Sequence, residues 1–232
     1  MSTKLETISA RRSTYNILRE KIINMELPPS SLLSENELAN ELGCSRTPVR
    51  EALILLADAG LVNVVPRKGT FVSSLNFDDI KDAQFLREAV ELHALETISF
   101  PLDAKVLEKI DANLKRQRAA IDGGPFDFFV LDEEFHQLIL ELSGHRSLWQ
   151  QVSVYKTHLD RARFLGLSTR DSLSRFQKEH VSIVDHLIDG NTLAAHQALR
   201  DHLRVVLDDL KIAARRYPAI FKLAEFAGID QG

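Results

Sequence analysis

The hydrophobic periodicity of the sequence changes at Gly60, and this change constrains the fold more than any other feature. Apolar residues recur at helical spacing in three segments before Gly60. Two short β-rich runs, residues 61–65 and 70–72, then flank a turn sequence at 66–69 that contains Pro66 and Gly69. Three helices followed by a hairpin with a basic tip predict a winged helix-turn-helix, which we place at residues 1–73.

After a short linker at 74–77, the chain shows only helical patterns. Short breaks between long amphipathic helices are typical of an antiparallel bundle. We therefore predict a mainly α protein whose second domain, residues 78–232, is an all-α antiparallel helical bundle. The tail, 217–232, is interpreted as one more helix that docks on the bundle or on a partner. The predicted helical segments are 78–99, 103–121, 126–142, 146–165, 172–189 and 192–216.

Charge and composition narrow the functional class. The net charge is −4, but the first 75 residues are nearly balanced, so the acidic excess lies in the helical part. This distribution is expected if only the N-terminal part meets DNA phosphate. No stretch approaches the roughly 20 apolar residues of a membrane-spanning helix, and the single Cys44 excludes an internal disulfide. These features favour a cytoplasmic protein without a membrane partner.

The start of the third helix is the predicted DNA-reading element, because a helix-turn-helix places this end in the major groove. Ser34 and Ser45 are candidate N-caps of the second and third helices. Arg46 and Arg50 are four residues apart and share one helix face, where an arginine can bind phosphate or guanine. Thr47 offers a hydroxyl to a phosphate. The alternative is that both arginines are ordinary solvated charges.

Four residues of the helical part suggest a metal site. Asp132 and His136 are spaced i, i+4 on an apolar face, and His180 and His202 each replace an apolar position in a later helix. A carboxylate inside an apolar stripe is unfavourable unless it is paired or metal-bound. Three imidazoles and one carboxylate suit zinc, nickel or manganese. The residues alone leave a second interpretation open, in which each histidine is a hydrogen-bonded core residue.

The N-terminal motifs, LSENELA at 33–39 and LGCSRTPVREAL at 42–53, resemble the GntR family of bacterial regulators. Residues 60–62 and 67–72 extend the resemblance through the wing. It implies binding to double-stranded operator DNA. Asn36 stands where family members often carry an arginine, which predicts a different operator preference. The predicted DNA contacts are Ser34, Asn36, Ser45, Arg46, Thr47, Arg50, Arg67, Lys68 and Gly69.

Residues 78–216 resemble the effector-binding domain of the FadR subgroup, in its metal-binding variety. That variety carries Asp-x-x-x-His on one helix and one histidine on each of two later helices. The resemblance implies a divalent transition metal, with zinc expected first, at the base of a pocket for a small carboxylate effector. It assigns the ligands Asp132, His136, His180 and His202.

Arg87 lies in the run FLREAVE at 85–91, which resembles the first helix of the same domain. A guanidinium on this inward face can bind an effector carboxylate with two hydrogen bonds. An internal salt bridge with Glu91 is an equal alternative.

The combined interpretation is a homodimeric regulator on a pseudo-palindromic operator, rather than an enzyme. Two rivals are a metal-responsive regulator and a metal-dependent hydrolase, since a metal with an open position can activate water. The hydrolase lacks a well-placed general base other than the ligands themselves.

Overall fold

The computed structural model of the protein describes residues 2–167, 169–216 and 220–221. Residues 78–216 form one compact unit, and the residues up to 77 form another together with 220–221. In this first unit the Leu75 N–H donates to the Ile220 carbonyl at 2.9 Å, and the rings of Phe77 and Phe221 stack at 5.1 Å. The described part of the tail therefore groups with the first unit, whereas the sequence analysis assigned it to the helical domain. The rest of the predicted tail helix lies outside the described residues.

The first unit is a winged helix-turn-helix, as predicted. Its three strands pair antiparallel in the order β1-β3-β2. The two-residue β1 was not predicted, because two residues carry no measurable periodicity. The helical apolar spacing of the first segment begins near Arg12, but the first helix begins earlier, at Ser2, in a stretch with few apolar residues to reveal it. The elements are α1 Ser2–Ile23, β1 Leu32–Leu33, α2 Glu35–Glu41, α3 Arg46–Asp58, β2 Val62–Val65 and β3 Gly69–Val72.

The core of this unit joins the helices to the wing. Ile22 of α1, Val49 and Leu56 of α3, and Leu61 at the start of the wing are fully buried in one cluster. Burial of such side chains contributes about 1.5–3 kcal/mol each relative to exposure. The apolar face of α3 is thus fixed inward, so its polar face is turned to solvent.

The second unit is the predicted all-α bundle. Asp103 caps α5 by accepting from the backbone N–H groups of Lys105 and Val106, and Thr169 caps α9 within a capping box. The main core cluster draws on α4, α5, α6, α9 and α10. The helices are α4 Phe77–Glu96, α5 Ala104–Ala120, α6 Pro125–Leu142, α7 Leu148–Tyr155, α8 Thr157–Gly166, α9 Arg170–Ile188 and α10 Thr192–Arg216.

The single helix predicted at 146–165 is wrong, because the chain forms α7 and α8 instead. The backbone leaves helical geometry at Lys156, with φ −90° and ψ 15°. The ammonium group of Lys156 is buried and binds Glu133 of α6 and Asp160 of α8. The break coincides with this buried ion cluster, and the apolar spacing does not encode it.

Among the described helices, none is both long enough and apolar enough to cross a membrane.

Candidate metal centre and nucleic-acid interface

Asp132, His136, His180 and His202 converge from α6, α9 and α10, and all four are buried. The Nε2 atom of His202 lies 3.2 Å from Nε2 of both His136 and His180. The Oδ1 atom of Asp132 lies 3.4 Å from Nε2 of His180 and 3.9 Å from Nε2 of His136. Two nitrogens that bind the same zinc ion at about 2.1 Å are roughly 3.0 Å apart when the angle at the metal is a right angle, and roughly 3.4 Å apart when it is tetrahedral. The donor set therefore fits a transition metal ion.

The outer nitrogen of each imidazole faces an oxygen acceptor. Nδ1 of His136 lies 2.6 Å from Glu91 Oε2, Nδ1 of His180 lies 2.8 Å from Gln117 Oε1, and Nδ1 of His202 lies 2.8 Å from Glu179 Oε2. Such partners fix the tautomer and ring orientation of metal-ligating histidines.

The clearest case is His180. The side-chain amide nitrogen of Gln117 donates to Asn113 Oδ1 at 2.7 Å, so the Gln117 oxygen is turned towards His180. Since an amide oxygen only accepts, His180 Nδ1 carries the proton and its Nε2 keeps a lone pair. Carboxylate acceptors favour the same tautomer in His136 and His202. The lone pair of His202 Nε2 lies 3.2 Å from those of the other two rings, and a shared cation relieves the resulting repulsion.

Electrostatics keep two of the imidazoles in the ligating form. Burial lowers the pKa of His136 well below its ordinary value, and the positive charge of Arg87 lowers it further. Burial also lowers the pKa of His180 well below its ordinary value, with a further contribution from His202. Both rings are therefore neutral near pH 7, as metal binding requires.

The second oxygen of Asp132 belongs to a buried charge network that sequence reasoning missed. Arg163 of α8 binds Asp132 Oδ2 and Glu133 Oε1, and Lys156 binds Glu133 from the start of the same helix. Burial alone would raise the pKa of Glu133, but the charges of Lys156 and Arg163 hold it well below its ordinary value. Arg163 thus fixes the orientation in which Asp132 turns Oδ1 towards the histidines.

A small cavity is lined by two of the four candidate ligands, Asp132 and His202, and Arg87 also lies in its wall. The volume of this cavity that the centre of a water molecule can occupy is about 20 Å³, so the cavity has room for about one water. Nε of Arg87 donates to Glu91 Oε1 at 2.7 Å. The Nη2 atom of Arg87 is buried and finds no hydrogen-bond partner among the described residues. A buried donor left unpaired costs about 1–3 kcal/mol, and more when it is charged.

Of the two alternatives for Arg87, the salt bridge with Glu91 forms and holds the guanidinium in place. Binding of an effector carboxylate stays a prediction, and Nη2 of this side chain is left unpaired among the described residues.

The N-terminal end of α3 presents polar groups to solvent. Ser34 caps α2, because its hydroxyl accepts from the Glu37 backbone N–H at 3.4 Å. Ser45 occupies the N-cap position of α3, but its side chain makes no capping hydrogen bond. Arg46 lies 3.2 Å from Glu35 in an ion pair that is largely exposed. The remaining predicted contacts of this region, Asn36, Thr47 and Arg50, are exposed as well.

The wing turn presents Arg67 and Lys68 at its tip. The Lys68 N–H donates to the Val65 carbonyl at 3.0 Å, and Arg67 adopts a left-handed φ of 64°. Gly69 is the third predicted DNA contact of the wing. In the structure its φ is +122°, and a Cβ there would lie 2.7 Å from the side chain of Leu32. The positive φ, which side chains other than glycine rarely adopt, thus favours glycine here without any contact to DNA.

Comparison with known proteins matches both units. The model described as "Bacterial regulatory proteins, gntR family" matches residues 10–72, and the FCD domain model matches residues 82–205. The HTH-type transcriptional regulator in an unstable DNA locus of Streptomyces ambofaciens is 47% identical, over 91% of this chain and 89% of its own length. The HTH-type transcriptional repressor RspR of Escherichia coli K12 is 28% identical, over 88% and 90%.

Two solved structures share the fold. A GntR transcriptional regulator from Rhodococcus sp. RHA1 superposes with a TM-score of 0.73 at 24% identity, covering 88% of this chain and 99% of that one. The E. coli protein McbR/YncC gives the same TM-score at 18% identity, covering 90% and 98%.

Proposed function

The chain belongs to the GntR family of bacterial regulatory proteins and carries an FCD domain, and from this premise we propose that it is a cytoplasmic, ligand-controlled transcriptional regulator. The family and the relatives named above are transcriptional regulators, not enzymes, as the sequence predicted. In the proposal, the winged helix binds operator DNA, and a small carboxylate bound beside a metal ion in the helical unit changes the affinity for that DNA.

The DNA-binding part of the proposal rests on the exposed end of α3 and on the wing. Ser45, Arg46, Thr47 and Arg50 lie at the end that a helix-turn-helix inserts into the major groove. Arg67, Lys68 and Gly69 supply a basic wing tip, and Ser34 and Asn36 flank the start of α2. A homodimer would match two half-sites of a pseudo-palindromic operator.

Asp132, His136, His180 and His202 hold a divalent transition metal ion in this proposal. Zinc is the first expectation, and nickel or manganese are the alternatives, because imidazole and carboxylate ligands suit all three. A bound ion supplies a Lewis-acidic partner for an effector carboxylate. The three hydrogen-bonded outer nitrogens support this assignment, since they leave each Nε2 free to ligate.

One observation carries the effector proposal. The unpaired Nη2 belongs to Arg87, which lines the cavity together with Asp132 and His202. A carboxylate there can accept from this nitrogen and approach the metal site at the same time. Because the cavity holds about one water, binding of a larger acid requires the pocket to widen. This change of conformation gives ligand binding a route to alter DNA affinity, and linkage makes the coupling reciprocal.

The test measures DNA affinity by fluorescence anisotropy on metal-loaded protein, with duplexes that cover the region upstream of its own gene. Hydroxy acids, dicarboxylates and sugar acids are added one at a time. At least one acid is expected to shift the affinity by about 5–150-fold, the usual range of allosteric coupling.

Arg87→Lys is the matched variant, because it keeps the charge beside Glu91 but loses the second planar donor. We expect about 10-fold weaker effector potency, with metal content and effector-free DNA affinity retained. An affinity that no acid changes contradicts the effector proposal. A response to metal alone supports the metal-responsive rival, and consumption of an acid supports the hydrolase.

A further inference from the structure

The outer face of α5 and α9 is apolar along a shallow groove. Leu107 and Leu114 of α5 and Val181 of α9 are half-buried in its floor. Ile188, at the end of α9, is 60% exposed. Apolar surface rimmed by polar residues marks an interaction site, so the charges along the rim decide what fits there.

The charges that α5 places along the groove are segregated by sign. Glu108 and Asp111 lie in its N-terminal half, Lys115 and Arg118 lie in its C-terminal half, and all four are exposed along the groove. Asp111 and Lys115 pair at 2.6 Å, with side chains 65% and 74% exposed, and such pairs contribute little to stability. Within the described part of the chain, Glu108 and Arg118 form no ion pair. They are ten residues apart, about 15 Å along a helix, and cannot pair with each other in one chain.

We propose that this face, the α5–α9 face, binds the same face of a second copy of the chain, with the two α5 helices antiparallel. The two-fold axis passes between Asp111 and Lys115. In this register Glu108 faces the partner's Arg118, and Asp111 faces the partner's Lys115. Two-fold symmetry repeats each pair, which gives four ion pairs around an apolar centre.

A second copy fits better than another partner because, when two such grooves face each other in opposite directions, opposite charges meet along their whole length. An antiparallel copy places the acidic end of one groove against the basic end of the other. This inference identifies a surface for the homodimer of the proposed function, and it rests on that part of the proposal alone.

The first experiment uses charge exchange on the full, metal-loaded chain, with the dimer dissociation constant measured by sedimentation. Glu108→Arg places like charges opposite each other twice per dimer, and Arg118→Glu does the same with the opposite sign. Each single variant is expected to weaken the dimer by about 10-fold or more. The double variant E108R/R118E restores both pairs and is expected within about 3-fold of wild type. Since these residues cannot meet within one chain, such rescue requires contact between two copies.

The second experiment tests the apolar part of the face. Ile188→Asp is expected to weaken the dimer by about 100-fold, because a desolvated charge is strongly unfavourable. Leu193→Asp, at a side chain that is 82% exposed at the start of α10, is the matched control and is expected to leave the dimer unchanged. Circular dichroism and metal content verify that each variant is folded.

Three outcomes overturn the inference in separable ways. A dimer that tolerates Ile188→Asp and both single charge reversals does not use this face, although ligand-dependent DNA binding of the wild type would still stand. Loss of the dimer in Ile188→Asp without rescue in the double variant refutes the antiparallel register. A wild type that remains monomeric also removes the homodimer from the proposed function.

Discussion

Restoring metal to stripped protein should raise the melting temperature of the helical unit by about 9 °C. The ligand atoms lie within 4.8 Å of one another only in the folded chain, so the ion binds the native state selectively. At a free zinc concentration near 100 times the Kd, such binding adds about 2.7 kcal/mol to the free energy of unfolding. The unit spans 78–216, roughly 140 residues, and its unfolding entropy is about 0.3 kcal/mol/K. Dividing the added free energy by this entropy gives the expected rise in melting temperature of about 9 °C.

The assay is calorimetry on chelator-stripped protein, with and without buffered free zinc at neutral pH. The variant His180→Ala loses one of the four ligands, and we expect its metal affinity to be about 100-fold weaker. Loss of a group that only orients a ligand already weakens metal affinity by about 10–100-fold. At the same free zinc the stabilisation falls to about 0.4 kcal/mol, and the shift falls to about 1 °C. His186→Ala changes a histidine on the same helix outside the cluster, and it is expected to keep the full shift.

The comparison is between metal-free and metal-loaded samples of each variant, because the cavity left by His180→Ala lowers the melting temperature by itself. A wild type that melts at one temperature with and without each candidate metal would refute the assignment of the site. So would a His180→Ala variant that keeps the full shift of about 9 °C.

Two further predictions concern the orienting groups and the DNA surface. Gln117→Leu removes the acceptor of His180 Nδ1 and is expected to weaken metal binding by about 10–100-fold, measured by competition with a chromophoric chelator. The exposed Gln197→Leu is its control, and equal metal affinity in both variants would show that Gln117 does not orient the ring. Arg46→Ala is expected to weaken DNA binding and to lower the slope of log affinity against log salt by about 1. Arg170→Ala, at an exposed arginine of α9, should leave that slope unchanged, and an unchanged slope in Arg46→Ala would exclude a phosphate contact.

The parts of the fold that follow from periodicity were predictable. The change from helical spacing to β-rich runs after Gly60 identifies the wing, and the later segments identify the bundle. β1 is too short to show a period, and it forms because Leu32 and Leu33 pair with Phe71 and Thr70. The break lies at Lys156, whose ammonium group contacts a carboxylate of α6 that is distant in sequence.

In the candidate site, too, some residues are visible in the sequence and others are recognised only from contacts in the fold. Asp132 and His136 are visible as polar residues one turn apart on an apolar face, and His180 and His202 are visible as interruptions of apolar stripes. Gln117 had the same signal, because it shares the buried face of α5 with Val106 and Ile110, but its amide did not suggest metal chemistry. Glu179 and Arg163 carried no signal, since their roles arise from contacts between helices. Metal ligation by the four residues stays a prediction.

The order of the two units along the chain has a consequence for newly made protein. The last strand of the wing ends at Val72, whereas the last metal ligand, His202, follows about 130 residues later. At roughly 5–20 residues per second of synthesis, this interval lasts about 7–26 s. During this interval the DNA-reading residues have already been synthesised, but the metal-binding group still lacks His202. In a growing cell, the youngest chains therefore acquire the residues for DNA recognition before those for responding to a ligand.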